Sequence, residues 1–190
     1  MKNIEKLALN WVNSDKIKAE NIVKSCYCPT RDIFQARLDK MVREILYARV
    51  ISEGDSYVIS AITGEIGNNS FDHNLGSWPD VMGIFFCYTI NKEIKIVLAD
   101  RGQGVLKTLK AVKPDLQTDK EALKVAFTEK ISGRAPENRG NGLKFVRENI
   151  QNRKMRLHFS SGNAKIELND KMKIFDTDQK IKGCLAIIES

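Results

Sequence analysis

One stretch of the chain, Gly64-Glu65-Ile66-Gly67-Asn68-Asn69-Ser70-Phe71-Asp72-His73-Asn74, places polar side chains against a buried helix face. It continues an apolar pattern of Val58, Ile59, Ile62 and Ile66 at helical spacing, which predicts a helix over residues 57–73. At ~100° per residue, Glu65, Asn69, Asp72 and His73 fall within an arc of roughly 100°. That arc overlaps the arc of Ile62 and Ile66, which must face the core. An acid, an amide, a second acid and an imidazole therefore line the edge of a buried face. Buried polar groups are unfavourable unless something pairs with them. A hydrated metal ion carrying phosphates would be such a partner.

At 190 residues the chain is expected to form one domain over residues 31–190, preceded by a helical appendage over residues 1–30. No apolar run is long enough to cross a bilayer, and the first residues lack the apolar core of a signal peptide, so a cytoplasmic location is the expectation. The net charge of +7 fits nucleic acid, nucleotide phosphates or an acidic protein as partner, and equally a basic solvated surface. No aromatic-rich basic motif accompanies it, which ranks nucleic acid last. Cys26 and Cys28 form a C-x-C spacing that does not suit zinc, while Cys87 and Cys184 sit in apolar strand-like runs and read as buried thiols. Structural zinc and disulfides are not expected.

Residues 1–24 read as helical, with Ile4, Leu7, Ala8, Trp11 and Val12 on one side, and a break follows at 26–30. Residues 31–49 form an amphipathic helix whose stripe is Phe34, Leu38, Met41, Val42, Ile45 and Leu46. Strands are predicted over 81–90 and 93–99, joined by a hairpin turn at Asn91-Lys92. Helices follow over 105–112 and 119–127, then a polar, basic, turn-rich segment over 128–141, then a helix from Leu143. The remainder reads as strands over 155–160, 164–168, 171–175 and 183–188, with a turn at Ser161-Gly162-Asn163. Long crossovers alternating with hairpins predict an α+β fold, a mixed, mostly antiparallel sheet with helices on one face.

Three polar clusters interrupt these core-like elements. The first is the helix face of Glu65, Asn69, Asp72 and His73. The second is Asp100-x-Gly102-x-Gly104, at a strand end. The third is Gly140-Asn141-Gly142-Leu143, opening a helix. An Asp at a strand end can accept a hydrogen bond from an exocyclic amine such as that of adenine, and glycines after it allow positive φ and close approach to a flat ligand. A Gly-rich turn into a helix presents free N–H groups and a favourable dipole to phosphate. A hard amide or carboxylate oxygen can hold Mg²⁺. Each signal has a bland counterpart: a structural histidine, a tight loop, a helix-entry turn. Their order in one chain is what makes them specific.

Together the three clusters resemble the boxes of the Bergerat-fold, or GHKL, ATPases, the superfamily of histidine kinases, anti-sigma serine kinases, type II topoisomerases and related ATPases. Glu65-x-x-x-Asn69-x-x-Asp72-His73 resembles the N box, Asp100-x-Gly102-x-Gly104 the first glycine box and Gly140-x-Gly142-Leu143 the second, with 128–139 as the ATP lid. The resemblance covers about residues 55 to 188 and implies a two-layer α/β sandwich. It also implies roles. Asn69 would coordinate Mg²⁺, Glu65 would be the general base, and Asp100 would bind the adenine amine. Gly102 and Gly104 would lie against the base. Gly140, Asn141, Gly142 and Leu143 would cradle phosphates, aided by Lys130, Arg134, Arg139 and Lys144, with Asp72 and His73 flanking the metal.

The chain also departs from the pattern. Its only histidines, His73 and His158, do not sit on a preceding dimerisation helix, which argues against an autophosphorylating sensor kinase. Gly183-Cys184 stands where such domains often carry Gly-Thr. The insert at 169–182 resembles stand-alone members that work with small STAS-type partners. The expected function is thus a stand-alone Mg-ATP-binding protein that phosphorylates or sequesters a regulatory partner, STAS-like or sigma-factor-like. The alternative is a nucleotide-gated interaction module without turnover. Residues 1–30 would either pair protomers into a homodimer or dock that partner.

Overall fold

The computed structural model describes residues 3–15, 24–130 and 142–190. In chain order the elements are α1 (Ile4–Asn13), β1 (Tyr27–Cys28), α2 (Arg31–Ala48), α3 (Glu53–Asn74), β2 (Ile84–Ile90), β3 (Ile94–Asp100), α4 (Val105–Lys110), α5 (Asp119–Thr128), α6 (Gly142–Gln151), β4 (Arg156–Leu168) and β5 (Met172–Glu189). The strands form one sheet in the order β1-β2-β3-β5-β4, and each neighbouring pair is antiparallel. The expected α+β sandwich is present. The parallel pairing of a mixed sheet is not found among the described strands. The long connection after β3 delivers β4 to the far edge, and the hairpin then returns β5 between them.

Strand alternation sorts the sheet into two apolar faces. On the front, Ile84, Phe86, Ile96, Leu98, Phe159 and Ile188 pack with Phe34 and Met41 of α2, Ile59, Ile62 and Ile66 of α3, Phe127 of α5 and Ile150 of α6. On the back, Phe85, Val97, Ala99 and Leu185 pack with Ile4, Ala8, Trp11 and Val12 of α1. The helices are therefore on one face apart from α1, which covers the other. Its start is fixed by Asn3, whose side chain accepts hydrogen bonds from the Glu5 and Lys6 amides, each at 3.1 Å. Part of the expected appendage, Tyr27–Cys28, joins the sheet as its edge strand, which the sequence reading took for a simple break.

Helices α2 and α3 pack closely because α3 carries glycine where α2 presents the buried Phe34 ring. A Cβ on Gly67 would lie 2.2 Å from the Phe34 ring. The C-terminal hairpin differs from the sequence expectation of four short strands. Its two arms are continuous because Gly162 (φ 59°) and Gly183 (φ 69°) absorb the irregularities. Ser161-Gly162-Asn163 is accordingly a bulge and not a turn. The polar run over 176–180 reads as loop, yet lies within β5 on an exposed arm.

One buried cation locks α1 to the sheet. Arg101 is 1 % exposed and follows the last residue of β3. Its guanidinium donates to both carboxylate oxygens of Asp80 and to the carbonyls of Trp11, Val12 and Ser14, the Val12 contact being 3.0 Å and the Ser14 contact 2.9 Å. It also lies 5.9 Å from the centre of the Trp11 ring. The hydrogen bonds from Arg101 hold Asp80 below its ordinary carboxylate value of 3.8, against the opposing effect of partial burial. The pair therefore contributes fully above pH 3.8 and its contribution is lost as pH falls through the lowered value. Arg101→Leu should lower stability by about 3 kcal/mol, because it leaves a carboxylate and three carbonyls without their donor. Asp80→Asn should be less stable than the wild type at pH 7, with the gap closing below pH 3.8; urea denaturation across pH measures both.

Candidate functional site

The polar side chains of the second half of α3 divide into those already paired and those left over. Asn68 accepts from Gln35 at 3.0 Å, and Asp72 forms an ion pair with Arg31 at the start of α2. Ser70 donates to Asp100 at 2.8 Å. Asn74 donates to the Ser70 carbonyl and accepts from the Gln103 amide, both at 2.8 Å. The His73 carbonyl accepts from the Gln103 side chain at 2.9 Å. Glu65 and Asn69 make no side-chain hydrogen bond or ion pair with the described residues. Both face the start of α6: a Cβ placed on Gly142 would lie 2.5 Å from Glu65 Oε2 and 3.4 Å from Asn69 Nδ2. Glycine at 142 leaves room for the acid beside a helix N-terminus, where free N–H groups point outward.

Asp100 forms the other end of the site. It is 3 % exposed, at the last position of β3. Oδ2 accepts from Ser70, and Oδ1 accepts from the Gly102 amide at 2.8 Å. Burial pushes its carboxyl above the ordinary 3.8, while the bonds from Ser70, Gly102 and Cys184 pull the other way. Strand pairing puts Cys184 opposite Asp100, so the residue standing in place of the expected threonine does adjoin this carboxylate. The Cys184 thiol lies 3.7 Å from Ser161 Oγ. Burial, reinforced by the Asp100 charge, pushes its pKa well above the ordinary thiol value.

The turn after Asp100 is built around glycines. A Cβ on Gly102 would strike the Asn74 amide at 2.1 Å. Gly104 has φ 77° and caps α4, whose first amide, Val105, donates to Ser161 Oγ at 3.0 Å. Gly183 has φ 69°, and a Cβ there would meet the Asp100 carbonyl at 2.3 Å and Oδ1 at 2.4 Å.

The structure thus brings Glu65, Asn69 and Gly142 together at one end, and Asp100, Gly102 and Gly104 together at the other, with α3 spanning the two. Asp72 faces Arg31, so its expected place beside a metal is taken by an ion pair. Leu143 and Lys144 are half-buried on the first turn of α6, and Lys130 is exposed after α5. Arg134, Arg139, Gly140 and Asn141 lie outside the described residues. Ser70, Asn74 and Ser161 are not site residues that the sequence singles out, and Gly183 stands out there only through the Gly183-Cys184 pair. Ser70 and Asn74 were inside the quoted stretch, but their roles depend on residues some 30 positions away.

No group of three His, Cys, Asp or Glu side chains gathers to hold a metal among the described residues. A metal arriving with phosphates needs only one or two protein oxygens, and the spare Asn69 amide fits that requirement. No family model and no curated protein matches the chain.

The ionisation of Asp100 opposes folding, since its pKa is raised in the folded protein: stability falls as pH climbs from 3.8 towards the raised value. Asp100→Asn should remove that slope and melt no lower than the wild type at pH 7. Gly183→Ala should lose roughly 1–3 kcal/mol, since it combines a left-handed backbone with contact against Asp100. Thermal melts over a pH series separate the two outcomes.

Proposed function

We propose that the chain binds Mg-ATP between α3, the turn after β3 and the start of α6, and uses it to phosphorylate or sequester a regulatory protein partner. The observation that carries this reading is the division of labour on α3. The other polar side chains of its second half are engaged within the fold, whereas Glu65 and Asn69 have no partner among the described residues and face the N-terminus of a helix. Glu65 is exposed and Asn69 half-buried, so both are open to a ligand, and their place beside a helix N-terminus suits a triphosphate with its cation.

In this reading the adenine end lies at Asp100. Its carboxylate accepts from the exocyclic amine, and Ser70 and the Gly102 amide fix its orientation. The flat base lies against backbone freed of side chains at Gly102, Gly104 and Gly183. The phosphates lie against the amides of the first turn of α6, where the helix dipole favours negative charge. Mg²⁺, when bound, would neutralise phosphate charge and lower the barrier to transfer. Asn69 would give it an amide oxygen. Glu65, exposed and without a partner among the described residues, would take the proton from water or from a hydroxyl of the partner. A regulatory protein such as a STAS-like or sigma-factor-like domain is the class of acceptor that the sequence resemblance implies.

Calorimetric titration with ATP and Mg²⁺ tests the site. Binding should be present in the wild type and weakened at least tenfold in Asp100→Asn. Glu65→Ala should keep ATP affinity within a few-fold and lose phosphate release or transfer. Equal turnover in that variant would remove the base assignment. Binding without turnover in the wild type would leave a nucleotide-gated interaction module, and no binding at all would overturn the nucleotide reading.

A further inference from the structure

Away from this site, a pair of cysteines on the back of the sheet has a geometry that no element of the nucleotide reading uses. All four cysteines are free thiols. Cys26 Sγ and Cys87 Sγ lie 2.7 Å apart. Cys26 lies in the turn directly before β1 and Cys87 lies in β2, 61 positions apart in sequence. The backbone brings them together directly, because the Phe86 amide donates to the Cys26 carbonyl at 2.7 Å.

The placement of Cys26 departs from strand alternation. Cys26 and Cys28 are two residues apart and would share a face of a regular strand. Instead Cys28 packs into the front core and Cys26 into the back cluster with Trp11 and Phe85. The segment is held in this shape by Arg37 of α2, whose guanidinium donates to the Lys24 and Ser25 carbonyls at 3.0 and 2.8 Å. The chain therefore turns Cys26 towards Cys87 and away from its sequence neighbour.

We infer that Cys26 and Cys87 are a reversible redox pair, closing to a disulfide that staples β1 to β2 when a low-molecular-weight disulfide oxidises them. The reaction balances as two exchanges. The thiolate of the pair attacks the oxidant R–S–S–R, breaking its S–S bond and releasing one RS⁻, to give a mixed disulfide. The second thiol, giving up its proton, attacks the cysteine sulfur of that mixed disulfide and expels the second RS⁻. One Cys26–Cys87 S–S bond is formed, two electrons pass to the oxidant, and two RSH result.

The surroundings select this pair over the other thiols. The hydrogen bond between Cys26 and Cys87 brings Cys26 down to about 7, with Ser25 and the Arg37 charge acting in the same direction against burial. A fraction of the pair is then thiolate at neutral pH. Cys87 is half-buried and gives the oxidant access. Burial raises Cys28 to about 11 despite the neighbouring Arg37, and burial also raises Cys184 well above the ordinary thiol value, so both stay protonated. Closure restrains the segment that leads into α2, whose first residue Arg31 holds Asp72.

The test is to incubate the full chain, reduced and then freed of reductant, with oxidised glutathione at neutral pH. Thiol counting after denaturation, intact mass and peptide mapping then follow. The expected result is loss of two of the four thiols, loss of two hydrogens with no retained glutathione, and one peptide joining Cys26 to Cys87, all reversed by dithiothreitol. The oxidised form should melt higher, by on the order of 5 °C, because the bond closes a long loop of the unfolded chain. Cys28→Ser should behave as the wild type. Cys26→Ser should stop at a glutathione adduct on the more accessible Cys87. Retention of four thiols in the folded wild type, a stable adduct on one cysteine, or a link involving Cys28 or a second chain would overturn the inference, whatever the fate of the variants.

Discussion

A carboxylate buried at the end of a central strand is tolerable only if several elements arrive to satisfy it, and Asp100 sets that condition for the whole front layer. Ser70 reaches it from α3, the Gly102 amide from the turn that follows, and Cys184 from the neighbouring strand β5. Gly183 must be glycine because any side chain there would occupy the space of the Asp100 carboxylate. The helix α3, strands β3 and β5 and the glycine turn are thus positioned relative to one another by one charged group. A fold seldom keeps such a group for stability alone, since an apolar residue of similar volume is commonly as good.

The next residue performs the mirror-image task. Successive strand residues point to opposite faces, so Asp100 serves the front and Arg101 the back. The guanidinium gathers the end of α1 and Asp80 as the carboxylate gathers α3 and the glycine turn. Two adjacent residues of opposite charge therefore tie the two layers and the covering helix to the same strand end.

What the sequence made legible was local. The apolar spacing over 57–73 located α3, which runs from Glu53 to Asn74, because helical periodicity is written within a few residues. The strands 81–90 and 93–99 were legible for the same reason and are Ile84–Ile90 and Ile94–Asp100. The meeting of Glu65 and Asn69 with Gly142 could be expected only through a resemblance, since nothing local joins α3 to α6. The capture of Asp72 by Arg31, 41 positions earlier, was not legible at all. Neither was the continuity of β4 and β5: a polar run in an exposed hairpin arm has the composition of a loop, and only pairing with the other arm makes it a strand. The cysteines show the same limit. The C-x-C spacing sets Cys26 beside Cys28, whereas the close pair joins Cys26, in the turn before β1, to Cys87 in β2, which is half-buried and not buried as expected.

The Arg101 clamp also has a consequence for the order in which the molecule is assembled. Its contacts to the Trp11 and Val12 carbonyls join residues 90 and 89 positions apart, and Lys182 reaches the Ser14 carbonyl across 168. As the chain is synthesised, α1 emerges long before the strands that cover its apolar side. Helix α1 has only ten residues, too short to hold its shape alone in water. It must wait, as a bare amphipathic segment, for β3 and then β5. The first helix of this sequence is among the last to be seated, and until then its Trp11 side is open to whatever else in the cell covers apolar surface.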